Sequence, residues 1–281
     1  MKLSVDEFRK WDNKRVTLLG MSGVGKTRIS NLLRNEDWFH YSADYRIGTH
    51  YLDEPILDNI KKLAMQVPFL HDLLRADSIH ITNNISVDNL KPVSSFLGMV
   101  GNPEEGGISL REFRHRQTLH HEAEIAAMYD VPEFIRKSTE IYGYRHFIND
   151  AGGSLCELED EYVMDLLSMH TLIIYIRASR EDEEKVIRRA EAAPKPLYYR
   201  PDFLEEQLDV YMREQNLPYA AMINPGEFVR WVFPRLYRAR KPRYEAIARE
   251  YGYTISTEEL GAVSDETDFI ALLEQSIARA G

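Results

Sequence analysis

Five short apolar runs punctuate the chain, at Arg15–Leu19, 38–41, 145–149, 171–176 and 251–255, and helical spacing fills most of the sequence between them. Runs of this length suit buried strands, and their alternation with helical material predicts an α/β fold with a mainly parallel sheet. The same pattern predicts a lead-in helix within 1–14, a helix over 28–34 and a C-terminal helix over 266–280. The interval between Asp44 and Arg145 is the irregular part. It holds Pro55, Pro68, Pro92, Pro103 and Pro132 and a glycine-rich stretch at 101–107, among short helical patterns. It is expected to be a largely helical insertion over 50–140 that covers the carboxyl edge of the sheet, where acceptors of such folds bind. No internal repeat is visible, and one domain over 1–281 is expected.

The first run leads directly into the octapeptide Gly-Met-Ser-Gly-Val-Gly-Lys-Thr at 20–27, which fits the G-x-x-x-x-G-K-[ST] phosphate-binding loop without a mismatch. Strand, loop and helix follow in the order the motif requires, so a three-layer P-loop NTPase fold is expected. Glycines let the backbone curl with its N–H groups inward, and the helix N-terminus adds partial positive charge. Gly20, Ser22, Gly23, Val24, Gly25, Lys26, Thr27 and Arg28 are the candidate ATP-binding residues. Lys26 is expected to reach the β- and γ-phosphates, and the Thr27 hydroxyl to ligate Mg²⁺. Asp150, at the end of a buried strand, is a second candidate for holding hydrated Mg²⁺; the competing reading is a carboxylate that caps the following turn.

Composition narrows the setting. The 281 residues are 44% hydrophobic and 28% charged, as in an ordinary globular protein. No apolar run approaches membrane-spanning length and the N-terminus has no signal-peptide core, so a cytoplasmic protein without a membrane partner is expected. Cys156 is alone, which excludes an intrachain disulfide. The formal net charge of −10 disfavours wholesale binding to nucleic acid. One local exception runs from Arg230 through Arg235, Arg238, Arg240, Lys241 and Arg243 to Arg249, with Trp231, Phe233, Tyr237 and Tyr244 interleaved. It reads equally as a polyanion contact or as a solvated helix face over packed aromatics.

Taken in order, the motifs resemble those of shikimate kinase and related small-molecule kinases of the nucleoside-monophosphate-kinase group. The resemblance rests on the phosphate loop, on Tyr-Ser-Ala-Asp at 41–44 where the family has D-x-D, and on Asp-Ala-Gly-Gly-Ser at 150–154 where it has a glycine triplet. It also rests on Arg188 and Arg189 ahead of Lys-Pro-Leu at 195–197, similar to an arginine-bearing lid, and on Lys-Pro-Arg-Tyr-Glu-Ala-Ile-Ala at 241–248. It covers the core but not the insertion. Ser42 replaces the first aspartate of D-x-D, and the insertion replaces the compact acceptor region, so shikimate is not carried over as the substrate.

The resemblance implies that Asp44 binds the acceptor hydroxyl or takes its proton, that Gly152 and Gly153 allow close approach of acceptor or γ-phosphate, and that Arg114 of Phe113-Arg114 clamps the acceptor. It implies a lid over 180–203 that brings Arg188 or Arg189 to the transferring group. Each has a plainer alternative: a turn aspartate, a loop, an exposed helix face, surface ion pairs. His115, His120 and His121 form no zinc pattern. Three functions are therefore expected candidates: ATP-dependent transfer to a hydroxyl compound, transfer to a hydroxymethylated base in nucleic acid, or an ATPase switch acting on a protein partner. The acceptor and the oligomeric state are not legible.

Overall fold

The computed structural model describes residues 2–280. Five strands, β1 (Arg15–Leu19), β2 (Trp38–Ser42), β3 (His146–Asp150), β4 (Leu172–Arg177) and β5 (Gly252–Ser256), form one parallel sheet in the order β2-β3-β1-β4-β5. The expected runs thus become the strands, each within one or two residues of its sequence-derived bounds. The strands are buried on both faces, which explains why they read as continuous apolar runs instead of alternating ones.

Right-handed crossovers then assign the layers. The helices Lys26–Leu33 and Glu266–Ala278 cover one face, where Trp38 meets Phe269 edge-on at 5.7 Å. The helices Val131–Glu140, Glu161–His170 and Pro225–Tyr251 cover the other, where Tyr41 packs on Phe134 and Tyr175 stacks on Tyr244. The lead-in helix is shorter than expected, Val5–Lys10, and is fixed by a Ser4–Glu7 capping box.

Within 50–140, helix Pro68–Arg75 buries none of its residues, whereas Asp53–Ala64 and Lys91–Leu97 place Ile56, Val93 and Phe96 in the main core. Helix Leu110–Tyr129 and its continuation Val131–Glu140 belong to the same core, with Ala127, Met128 and Val131 fully buried. A second apolar cluster, built on Phe113, Tyr199, Phe203, Phe228 and Leu236, joins that helix to Pro201–Glu214 and Pro225–Tyr251.

Register places chemistry at one edge. Leu18 of β1 and Ser42 of β2 both align with Asp150 of β3, so the phosphate loop, the Asp44 turn and the loop after Asp150 leave the sheet side by side. Beneath them Thr17 Oγ1 pairs with Thr171 Oγ1 at 2.8 Å and accepts from Asn149 Nδ2 at 3.2 Å, all fully buried. This polar tie links β1 and β3 to Thr171, the residue that leads into β4, and Thr17→Val keeps the side-chain shape while removing it. The expected cost is about 1–3 kcal/mol, measured by thermal denaturation as roughly 2–4 °C per kcal/mol; an unchanged melting curve would show that the tie contributes nothing.

A candidate phosphoryl-transfer site

The phosphate loop closes on Gly25, which stands at the helix N-cap with φ 103° in the left-handed region that glycine tolerates. No side chain caps Lys26–Leu33, so the first-turn N–H groups face the loop without a side-chain acceptor, as an anion site requires. Lys26 Nζ donates to the carbonyls of Gly20 (2.7 Å) and Met21 (3.2 Å) and is buried. Burial lowers its pKa, while Asp150 and Asp44 act in the opposite sense. Thr27 Oγ1 donates to Asp150 Oδ2 at 2.7 Å, which unites the two candidate metal ligands. His40 on β2 approaches Asp150 Oδ2 at 3.8 Å from the sheet interior.

Asp44 lies two residues beyond the strand end, in the short helix Ala43–Arg46 that Ser42 caps through Tyr45 N. Ser42 therefore has a structural task where the resembling family carries an aspartate. No side-chain hydrogen bond reaches the Asp44 carboxylate among the described residues. Crowding by protein atoms, followed by repulsion from Asp150, pushes its pKa up to about 6, with Lys26 pulling against them.

The loop after β3 packs against both elements. A Cβ on Gly153 would stand 3.2 Å from Ser22 N, and one on Gly152 would stand 2.3 Å from Glu124 Oε1 and 3.8 Å from Asp44 Oδ1. Small residues are thus required where this loop meets the phosphate loop and the two carboxylates. Sequence reasoning missed Glu124. It projects from Leu110–Tyr129, is fully buried, accepts from Ser154 Oγ at 2.5 Å, and has its pKa pushed up to about 7 chiefly by burial. The signal was present as the spacing Phe113, Gln117, His120, Glu124, Met128, one buried stripe of a helix.

Arg240 was assigned to a surface stripe and is instead buried. Its guanidinium donates to Glu157 (2.8 Å), Gly153 O (2.9 Å) and Tyr198 O (2.8 Å). Tyr244 donates a further bond to Gly153 O. Three further cations of that stretch are engaged: Arg235 stacks on Trp231 at 3.6 Å, Lys241 pairs with Glu183, and Arg243 with Glu159, while Arg238 and Arg249 are exposed. Phe233, Tyr237 and Tyr244 are core residues, so the stretch offers no continuous basic and aromatic face.

Three further expectations fall elsewhere in the structure. Arg114 makes a bidentate pair with Glu205 (2.8 and 2.5 Å), both half exposed, about 15 Å along the helix axis from Glu124; it is not gathered with the other acceptor candidates. Arg28 donates to the carbonyls of Leu260 (3.1 Å) and Val263 (3.0 Å), supporting the turn beside the phosphate loop. Arg188 and Arg189 sit inside the helix Arg180–Ala192 and not in a loop, and an extended stretch follows as far as Pro201. Both arginines are exposed; Arg189 reaches Gly23 O at 3.4 Å. His121 binds Leu158 O, His120 and His121 stack on Tyr198, and no group of three or more metal-ligating side chains occurs among the described residues. No helix among those residues is long and apolar enough to cross a membrane.

No protein-family model and no curated protein matches this chain. Among solved structures it is similar to the shikimate kinase from Bacteroides thetaiotaomicron, at 15% identity over 95% of each chain with a TM-score of 0.41. It is also similar to the shikimate kinase from Acinetobacter baumannii in complex with shikimate, at 16% identity over 89% of this chain and 86% of that one, with a TM-score of 0.31. Both belong to the group that the sequence motifs resemble; the fold itself is argued from the sheet order and the phosphate loop.

Proposed function

We propose that this protein is an ATP-dependent kinase that transfers the γ-phosphoryl group to a hydroxyl acceptor. The observation that carries the reading is the convergence of Lys26, the Thr27–Asp150 pair and the free carboxylate of Asp44 at the carboxyl end of three adjacent strands. The half-buried Asp44 carboxylate makes no side-chain hydrogen bond among the described residues and acts electrostatically on Lys26, which favours an acceptor hydroxyl as its partner over a purely structural role.

Phosphoryl transfer demands positioning and charge stabilisation more than covalent help from the protein. Main-chain N–H groups of the phosphate loop and the Lys26 ammonium hold the β- and γ-phosphates. The Thr27 hydroxyl and Asp150 carboxylate are hard oxygen donors suited to Mg²⁺, which usually keeps waters and phosphate oxygens as its other ligands. Bound there, Mg²⁺ would neutralise charge on the phosphates. The acceptor oxygen forms its bond to the γ-phosphorus as the bond from that phosphorus to the bridging oxygen breaks, and ADP departs with the electron pair. Asp44 receives the hydroxyl proton. Arg189, already against Gly23, is the lid arginine placed to meet the transferring group; Arg188 is held as its alternative.

Replacing Lys26 by Ala removes a charge aimed at phosphate. The expected result is loss of turnover by about 10²–10³ in kcat, the magnitude of losing one preorganised donor, with a folded circular-dichroism spectrum. Turnover at the original rate would refute the phosphate-loop assignment.

The carboxylates divide the work and can be told apart. Asp150→Asn should weaken Mg²⁺-dependent nucleotide binding, whereas Asp44→Asn should leave binding intact and lower kcat. Because the pKa of Asp44 is raised to about 6, the base is ionised above that pH and is lost as pH falls through it. The profile of kcat/KM should therefore fall on the acid side of about pH 6, and Asp44→Asn should abolish that limb. Identical defects in the two variants, or an unchanged acid limb in Asp44→Asn, would contradict this division.

A further inference from the structure

Glu124 supplies more than the phosphoryl-transfer step requires. It is fully buried, and while Oε2 accepts from Ser154, Oε1 has no hydrogen-bond partner. That oxygen lies against Gly152 Cα, on the side where Asp44 Oδ1 also stands. His120 Nδ1, one turn earlier on the same helix, is likewise buried without a hydrogen bond, 3.8 Å from Glu124 Oε2. Burial and the nearby Arg240 push the imidazole pKa down to about 4, so the ring is neutral and brings no positive charge. A buried oxygen left without a donor is costly, and a ligand group that donates to it relieves the cost.

The cations that an anionic acceptor would need are committed elsewhere. Arg240 is spent on Glu157 and two carbonyls, Arg114 on Glu205, and Arg116 on Glu112, Asn59 Oδ1 and Phe96 O. Lys26 faces the phosphates. A carboxylate or phosphate on the acceptor would meet Asp44 and Glu124, whose neighbouring cations Lys26 and Arg240 are already engaged, and like charges in a dry site repel strongly.

Resting on the kinase reading, we propose that the part of the acceptor flanking its phosphorylated hydroxyl is uncharged and donates a hydrogen bond, from a second hydroxyl or a ring N–H, to Glu124 Oε1. Glu124 is thus the specificity-determining residue, and Gly152, itself buried, leaves Oε1 uncovered by any Cβ on that side. The substrate class is a neutral hydroxyl compound.

The test measures ADP formation by the full chain with Mg²⁺ and ATP against matched probes: glucose and glucuronate, glycerol and glycerate, myo-inositol and shikimate, and 5-hydroxymethyl-2′-deoxyuridine both free and within an oligonucleotide. The expected result is turnover of a neutral probe at least 100-fold above its acidic counterpart. Glu124→Gln, nearly isosteric, should raise the KM for that probe at least tenfold and shrink the discrimination, with the KM for ATP unchanged. Should Glu124→Gln not fold, the discrimination by the unmodified protein decides alone. Acidic probes used as well as neutral ones, or Glu124→Gln without effect on acceptor KM, overturn the inference and leave the kinase reading standing. Nucleotide binding without ADP formation from any probe overturns both.

Discussion

The buried guanidinium of Arg240 is the constraint on which the site depends. It lies on the helix Pro225–Tyr251, yet it reaches Glu157 and Gly153 O in the loop after β3 and Tyr198 O beyond the helix Arg180–Ala192. One planar side chain with fixed donor directions thus ties together three segments that are far apart in sequence. The loop it holds carries Gly152 and Gly153, whose positions against Ser22, Glu124 and Asp44 define the space for the reacting groups. Removing either partner of a buried pair leaves an uncompensated charge at a cost of about 3–5 kcal/mol. Such a tie is therefore worth more as a geometric lock than as net stabilisation.

Charge is concentrated around that lock. Lys26, Asp44, Asp150, Glu124, Glu157 and Arg240 crowd one end of the sheet, and each influences the ionisation of others. Burial alone drives acids towards their neutral forms, and the elevated pKa values of Asp44 and Glu124 follow from that cost. Their sign matters for stability. The folded state holds protons that the unfolded chain has released between about pH 4 and 7, so these two groups favour folding less as pH rises through that window. Stability is given up where binding of phosphate, metal and acceptor can recover it, a pattern expected of functional sites.

Much of this was legible in the sequence. The five apolar runs became the five strands because strands covered on both faces carry uninterrupted apolar residues. The phosphate loop was legible because its glycines, lysine and threonine are local requirements of one short segment. Glu124 and Arg240 were not, because their roles arise from tertiary contacts. Arg240 sits among six other basic residues and looks like one more surface cation until the loop after β3 folds beneath it. Glu124 sits four residues after His120, where a metal pattern was sought and not found, and only the stripe shared with Phe113 and Gln117 marks it as inward-facing. Arg114 runs the opposite way: a two-residue likeness suggests a clamp, whereas in the fold Phe113 takes the buried face and Arg114 pairs outward with Glu205.

On the proposed kinase reading, nucleotide handling falls to a loop and strand ends that many sequences could supply, whereas the acceptor side falls to Leu110–Tyr129, a helix with one face locked into the core. Phe113 anchors it in the second apolar cluster, and Ala127 and Met128 anchor it against the sheet. A carboxylate carried on such an element is held far more rigidly than one on a mobile lid, and rigid placement is what lets a buried charge discriminate between acceptors. The helices Asp53–Ala64, Pro68–Arg75 and Lys91–Leu97 contribute no charged group to this cluster, so on the proposed reading selection of the acceptor falls to Leu110–Tyr129.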